Sequence, residues 1–183
     1  CPFNCSFCAL GTLFGGPGIR FRSPTRVIDD IGALIKDHSV RNIKVLDECF
    51  VLKESHVTAI CDLIIERGYD LNIWAYARVD TVNDTMLKKM ARAGFKWLCY
   101  GIESGNEKSL SSVSKRGFNK DDIRRVIKMT KEAGINVLGN FMFGLPEDDF
   151  KAMREALDFA IELNCEYTNF YATMAYPGSL LYE

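Results

Sequence analysis

Short apolar runs alternate with amphipathic stretches along this chain of 183 residues, and this alternation constrains the fold more than any other feature. Runs of strand length at 43–46, 72–77, 97–102, 136–143 and 168–174 are the predicted strands. Strands and helices that alternate at intervals of about thirty residues are typical of parallel βα units. The sequence therefore predicts an α/β fold, with parallel strands in chain order and helices in an outer layer.

Apolar residues recur at helical spacing between the strands, and glycines mark several helix ends. The predicted helices cover residues 25–37, 54–67, 84–93, 106–113, 121–133 and 150–163. Ser23 is a suitable N-cap for the first, with Pro24 in its first turn. Three of the other predicted helices are followed by a glycine, as is common where a residue with positive φ ends a helix. These glycines are Gly68, Gly94 and Gly134.

The composition indicates one domain and narrows the classes of partner. A hydrophobic content of 48% is enough for one well-filled core, so residues 1–183 are predicted to form one domain. With 23 basic and 24 acidic residues, the chain has no excess of positive charge that would indicate binding to a nucleic acid. No apolar stretch approaches the roughly 20 residues of a membrane helix. Four of the seven cysteines are scattered singly, which favours a reducing compartment such as the cytoplasm.

Polar residues follow the predicted strands where each strand ends. In parallel sheets these ends meet at one rim, where ligands bind. We therefore expect a candidate cofactor-binding set at that rim, comprising Asp47, Glu48, Arg78, Glu103, Ser104 and Glu147.

Three cysteines open the chain at CxxxCxxC spacing: Cys1, Cys5 and Cys8. A four-iron cluster is normally held by four thiolates, so three leave one iron open to a ligand. Pro2 and Phe3 add apolar surface that limits water access. The alternatives are a zinc site, which normally takes four ligands, or a set of buried thiols.

The cysteine loop resembles the signature of the radical S-adenosylmethionine (SAM) enzymes, in which an aromatic residue precedes the last cysteine, as Phe7 does here. The resemblance implies a partial TIM-like barrel of six βα units, whose first strand would lie upstream of Cys1 and is missing from this chain. A chain that starts on a ligand is thus expected to be a fragment of a longer protein. The implied cofactors are a [4Fe-4S] cluster, held by the three cysteines, and SAM, which is cleaved reductively to a 5′-deoxyadenosyl radical.

The resemblance also implies SAM contacts at the strand ends. Asp47-Glu48 stands where the family usually has Gly-Gly-Glu against the SAM amino group, and Glu103 fits the position that binds the ribose hydroxyls. The adenine-facing GxIxGxxE pattern is matched from Asn140 through Met142 and Gly144 to Glu147, with asparagine in place of the first glycine. Lys115 either pairs with the SAM carboxylate or, as the default for a helix-end lysine, is solvated.

The runs Gly101-Ile102-Glu103-Ser104-Gly105 and Tyr176-Pro177-Gly178-Ser179 are similar to the cobalamin-binding branch of the family. This implies a methyltransferase that uses cobalamin from a domain outside this chain, a small-molecule substrate, and a reductant such as flavodoxin or ferredoxin. A methylthiotransferase-like enzyme and a noncatalytic iron–sulfur or zinc module are the alternatives.

Several other residues are expected to be structural. We expect Cys49 to fill space as a small apolar residue, and His38 and His56 to lie near helix surfaces. The strand aromatics Trp74, Trp97, Phe141 and Phe143 are expected in the core. The strand at 43–46 is expected to lie at a sheet edge with an apolar exposed side.

Overall fold

The structure is a computed structural model that describes residues 1–15, 18–115 and 117–183. Within these residues, five parallel strands form a half-barrel sheet in chain order. The strands are β1 (Asn42–Lys44), β2 (Asn72–Ala77), β3 (Phe95–Glu103), β4 (Asn136–Phe143) and β5 (Tyr167–Ala172). Their order and direction confirm the predicted α/β half-barrel.

The helices lie between the strands, mostly within a few residues of their predicted bounds. They are α1 (Leu10–Leu13), α2 (Pro24–His38), α3 (Glu54–Glu66), α4 (Asp84–Arg92), α5 (Glu107–Ser112), α6 (Lys120–Glu132) and α7 (Phe150–Leu163). Two short 3₁₀ turns, Phe50–Leu52 and Val79–Thr81, follow the first two strand ends. None of the helices in the described ranges is long and apolar enough to cross a membrane.

Local chemistry explains where the helices start. The Ser23 hydroxyl accepts a hydrogen bond from the Arg26 amide (3.2 Å), as its predicted role as the N-cap of α2 requires. Helix α6 starts with a capping box, in which the Asn119 side chain accepts from backbone amides and Asp122 accepts from the Asn119 amide. Helix α1 has no such cap and was not predicted.

The two faces of the sheet have different surroundings. On the helix-facing side, Ile73, Ala75 and Leu98 are buried in the core, and the buried Tyr100 hydroxyl is hydrogen-bonded to Thr130 (2.8 Å). On the opposite face, which we call the inner wall, the alternate residues of β2 to β4 are mostly only half-buried. The outer helices therefore supply the main core, while the inner wall lies open.

Strands β1 and β5 form the two edges of the sheet, which confirms the edge position predicted for residues 43–46. β1 is shorter than predicted, because regular pairing stops at Lys44 and Leu46 is 73% exposed. β3 is longer than predicted and extends through Glu103. The last strand starts one residue early and ends two residues before the predicted limit.

Candidate functional site

The cysteine loop is fixed by backbone hydrogen bonds from two distant parts of the chain. The Ser6 amide donates to the Val113 carbonyl (3.1 Å) after α5, and the Leu181 amide donates to the Ser6 carbonyl (2.8 Å). The Cys8 amide also donates to the Cys5 carbonyl (3.0 Å), which tightens the turn between these two cysteines. These backbone hydrogen bonds hold the loop in place without any contribution from a metal.

Arg78 connects the end of β2 to this loop. Its guanidinium is 4.0 Å from the centre of the Phe3 ring, and Nη1 lies 3.9 Å from Cys5 Sγ. Nε donates to Asp80 (2.6 Å), which fixes the side chain from the other side. The predicted rim residue Arg78 thus contacts the loop that carries the cysteines.

Glu103 and Lys115 form a buried ion pair at the end of β3. The Lys115 ammonium lies 2.5 Å from Glu103 Oε1 and also donates to the Gly101 carbonyl, and the side chains are 5% and 9% exposed. The expectation that Lys115 is solvated is therefore wrong, because the loop after α5 turns the lysine back under the sheet rim. Glu103 adopts a positive φ of 63°, where the β3–β4 register shifts.

Opposing electrostatic effects act on Cys5. Burial raises the pKa of its thiol above the ordinary value, whereas the charges of Lys115 and Arg78 act to lower that pKa. The named charges place Cys5 close to the ends of both β2 and β3. The prediction that the cysteines and Glu103 share one end of the sheet is confirmed.

The other predicted rim residues lie in different surroundings. Asp47 and Glu48 are exposed and line a cleft of about 590 Å³ that Cys1 also lines. Ser104 is buried, and its hydroxyl accepts from the Asn106 amide (3.0 Å), so it shapes the turn before α5. Phe7 is half-buried in the cysteine loop.

The segment after β4 forms an anchored turn. Gly144 has a φ of 82°, which favours glycine, and Glu147 is exposed in the same turn. The Asp148 carboxylate accepts from the Gly144 and Leu145 amides (2.9 and 3.0 Å) and from the Ser109 hydroxyl (2.6 Å). Asp148 was missed by sequence reasoning, because its contacts depend on the path of the turn after β4 and on the position of α5.

Asn140 and Met142 lie on the inner wall, with Asn140 farther from the rim. The Asn140 amide donates to Cys99 Sγ (3.0 Å), and Asn169 of the next strand donates to Asn140 Oδ1 (3.2 Å). Met142 pairs with Tyr171 of β5 nearer the rim.

Trp74 and Trp97 lie on the same inner wall, half-buried, and line a cavity of about 560 Å³. The expectation that they belong to the core is wrong, because the strand alternation points them away from the helices. Phe141 is fully buried, as predicted, while Phe143 is half-buried and stacks on Phe170 (5.1 Å between ring centres).

The donor set fits a four-iron cluster with one open iron. All three loop cysteines are free thiols, and the thiolate is the form of cysteine that binds metal. The charges of Lys115 and Arg78 oppose the rise in the pKa of Cys5 that burial causes. The Ser6 and Thr173 hydroxyls are buried with no hydrogen-bond partner among the described residues, so polar groups of the loop and of the β5 end are left for a ligand to satisfy. Within the described ranges, no group of three His, Cys, Asp or Glu side chains is arranged to hold a single metal ion.

Comparison with known proteins gives one consistent family. The model of the radical SAM superfamily matches residues 1–160. An uncharacterised methyltransferase of Pyrococcus horikoshii is 31% identical over 183 residues, which cover 100% of this chain and 39% of that protein. The bacteriochlorophyllide d C-8(2)-methyltransferase of Chlorobaculum tepidum is 27% identical over 192 residues, covering 100% of this chain and 42% of the relative.

The fold has close structural counterparts. The methyltransferase TsrM of Kitasatospora setae, solved with cobalamin and a [4Fe-4S] cluster bound, superposes with a TM-score of 0.88 at 20% identity, over 99% of this chain and 34% of TsrM. This chain thus spans less than half the length of these proteins. Because the family model covers most of the 183 residues, the chain belongs to the radical SAM superfamily, whose members bind a [4Fe-4S] cluster and SAM.

Proposed function

We propose that this chain is the catalytic core of a cobalamin-dependent radical SAM methyltransferase. The observation that carries the proposal is the contact of Arg78, which follows β2, with Phe3 and Cys5 of the cysteine loop. The charges of Lys115 and Glu103 also act on the pKa of Cys5. Two of the relatives described above are named as methyltransferases, and TsrM was solved with cobalamin. Cobalamin would come from a part of the protein outside residues 1–183.

Cys1, Cys5 and Cys8 are the proposed cluster ligands. When bound, the cluster supplies one electron that splits SAM into methionine and a 5′-deoxyadenosyl radical. Arg78 and Lys115 stabilise the negative charge of the Cys5 thiolate, since both cations act to lower the pKa of Cys5. Phe3 covers one face of the Arg78 guanidinium and helps to keep water from the loop.

The strand ends are the proposed SAM site. Asp47 and Glu48 line the cleft beside Cys1, where they would accept hydrogen bonds from the SAM ammonium. Glu103 is proposed for the ribose hydroxyls, with Lys115 holding its carboxylate in place. Met142 and Gly144, at and after the end of β4, and Asn140 farther from the rim, are proposed for the adenine side. Ser104 and Phe7 would act by shaping the loops that carry these groups.

A reductant and a small-molecule substrate complete the proposal. A low-potential one-electron donor such as flavodoxin or ferredoxin is proposed as the reductant, in a reducing compartment such as the cytoplasm, where free thiols persist. The charge balance of 23 basic and 24 acidic residues favours a small-molecule substrate over a nucleic acid.

Anaerobic reconstitution of the full-length protein tests the proposal. We expect four irons and four sulfides bound through this loop, cobalamin absorbance in the same preparation, and methionine and 5′-deoxyadenosine released when SAM and a reductant are added. Methyl transfer from a further SAM molecule would also release S-adenosylhomocysteine. A protein that binds no cluster, or that leaves SAM intact, would refute the radical SAM activity. Transfer of a methylthio group instead of a methyl group would favour the methylthiotransferase alternative.

Glu103 is tested separately by Glu103→Gln, which keeps the size of the side chain while removing its charge. Charge-assisted hydrogen bonds contribute about 1.5–3 kcal/mol, so SAM should bind roughly 10 to 150 times more weakly. Because Glu103→Gln leaves the buried Lys115 without its carboxylate, the same measurement is made in a Lys115→Met background, where no buried charge is unpaired and cluster content should not change. Unchanged SAM affinity by calorimetry would remove Glu103 from the site.

A further inference from the structure

The inner wall carries a group of side chains that, apart from Asn140, have no role in the proposed cluster and SAM sites. Trp97, Asn140, Asn169 and Tyr171 line the open cavity of about 560 Å³ on this face, together with Lys44 and Trp74. A volume of this size is typical of small-molecule sites, which combine aromatic walls with a few polar groups. The wall therefore has the composition of a ligand site rather than of a packed core.

Lys44 gives the wall its charge. Its ammonium lies 4.4 Å from the centre of the Trp74 ring and 5.5 Å from that of Tyr76, which holds the lysine against the wall through cation–π contacts. In the part of the chain that the structure describes, no carboxylate lies within ion-pair distance of Lys44, and no Asp or Glu lines this cavity. The charge of the wall is therefore complementary to an anion.

The strand register sets the distance between the cation and the open aromatic surface. Lys44 pairs with Trp74, and Trp74 pairs with Trp97, so the three side chains lie side by side on neighbouring strands. The Lys44 ammonium lies over the Trp74 ring, and Trp97 lies one strand spacing of about 4.8 Å beyond Trp74. A separation of this size suits an aromatic ring that carries a carboxylate on a short aliphatic arm.

The asparagine pair adds directional contacts. The Asn140 amide is used by Cys99 and Asn169, whereas Asn169 Oδ1 accepts no hydrogen bond within the described ranges. That oxygen is available to a ring N–H of a ligand. Tyr171 lies two residue pairs closer to the rim than Asn169, opposite Met142.

The wall also lies within reach of the radical chemistry. Tyr76 of β2 comes two residues before Arg78, which directly follows the strand, a rise of about 6.6 Å, and Arg78 contacts Cys5. A ligand on the wall would therefore present its upper end to the rim, where SAM is proposed to bind.

We propose that the inner wall binds the substrate, and that the substrate is a planar aromatic carboxylate with its ring against Trp97 and its carboxylate on Lys44. This proposal rests on the proposed function, because it assigns the substrate class of the same barrel. Other occupants, such as an uncharged aromatic molecule or another segment of the protein, are distinguished by the test below.

The test measures binding to the anaerobically reconstituted full-length protein by calorimetry, without turnover. Three probes are compared: indole-3-propionate, uncharged 3-ethylindole, and cyclohexanepropionate, which keeps the charge but lacks the aromatic ring. We expect indole-3-propionate to bind at least tenfold more tightly than either of the others. Lys44→Met should weaken its binding at least tenfold, whereas Lys128→Met on the outer surface of α6 should change it less than twofold.

A second variant keeps the test decisive if Lys44→Met folds poorly. Asn169→Asp places a negative charge on the wall, so indole-3-propionate should bind more weakly while 3-ethylindole should not. The proposal is overturned if indole-3-propionate shows no binding up to 1 mM, as a wall covered by another segment would give. It is also overturned if cyclohexanepropionate binds equally well or if Lys44→Met has no effect.

The same protein preparations distinguish failure of the substrate-class proposal from failure of the proposed function. SAM cleavage is assayed without any probe, so cleavage in a protein that fails to bind indole-3-propionate would refute the substrate class alone. Tight binding of the probe in a protein that neither holds a cluster nor cleaves SAM would refute the function and leave a ligand site.

Discussion

The ion pair of Glu103 and Lys115 is the residue-scale feature that connects the fold to the site. Lys115 is 5% exposed and bonds both to a carboxylate and to the Gly101 carbonyl. A buried pair of this kind contributes little net stability compared with apolar residues, but loss of one partner leaves a buried charge uncompensated. The pair is therefore expected to fix geometry beside Cys5 rather than to raise overall stability.

Lys115→Met tests this role. The variant leaves the Glu103 carboxylate buried and unpaired, so the free energy of unfolding should fall by about 3–5 kcal/mol in urea titrations. Adding Glu103→Gln to Lys115→Met should recover at least half of the loss. Lys128→Met, on the exposed surface of α6, should remain within about 0.5 kcal/mol of the wild type. A Lys115→Met protein as stable as this control would contradict the buried-pair interpretation.

Burial should also protect two cysteines outside the loop. It raises the pKa of Cys61 and of Cys99 to about 12, from an ordinary value of 9.0, so at pH 8 only about one molecule in ten thousand carries either thiolate. Iodoacetamide should therefore label both residues at least 100 times more slowly in the native protein than in urea, as measured by mass spectrometry. Because the folded-state pKa is raised, the stability each neutral thiol contributes is complete below pH 9 and is lost as the pH rises towards 12. Equal labelling rates in the native and unfolded states would contradict this.

At the scale of elements, the turn after β4 shows how a helix supports the rim. Asp148 accepts hydrogen bonds from two turn amides and from Ser109 of α5, so one carboxylate joins the end of β4 to the helix that follows β3. The side chain of the next residue, Asp149, is the N-cap of α7 and accepts from the Ala152 amide (2.6 Å), with no other hydrogen bond to the described part of the chain.

Asp148→Ala and Asp149→Ala therefore form a matched pair. Each should lower the free energy of unfolding by about 1–2 kcal/mol, through lost hydrogen bonds or a lost cap. Only Asp148→Ala should weaken SAM binding, by about tenfold, since it frees the turn that is proposed to face adenine. Calorimetry with SAM checks this, and equal affinities of the two variants would remove the turn from the proposed site.

The sequence predicted the elements better than it predicted their surroundings. Alternation of strand and helix placed all five described strands in the correct order, because at least one helix separates each pair of consecutive strands. It did not reveal that Trp74 and Trp97 face away from the helices, since strands in parallel sheets are apolar on both faces. The environment of Lys115 was also hidden, because it depends on the turn after α5 and not on residue type.

At the scale of the whole molecule, the two ends of the described chain meet at the cysteine loop. The Thr12 hydroxyl donates to the Gly178 carbonyl (2.6 Å), and the Leu181 amide donates to the Ser6 carbonyl. We call residues 176–181 the C-terminal clamp. The clamp holds the loop from the side of β5, opposite the contact of Ser6 with Val113.

Gly178→Ala should loosen the clamp. A Cβ atom at Gly178 would lie 2.7 Å from Thr12 Cγ2, and the φ of 83° is unfavourable for alanine. The variant should keep its circular dichroism spectrum but bind less than half of the wild-type iron on reconstitution. Gly134→Ala is the control, because its φ is 82° and nothing lies within 4 Å of the added atom. Equal iron content in the two variants would show that the clamp does not support the cluster site.

The clamp also sets an order of events during synthesis. Thr12 and Gly178 are 166 residues apart in the chain, and a ribosome adds about 5–20 residues per second. The three cysteines therefore leave the ribosome on the order of ten to thirty seconds before the segment that completes their loop. We expect iron and sulfide to be delivered to the finished domain, so that during this interval the cell must keep three unligated thiols reduced.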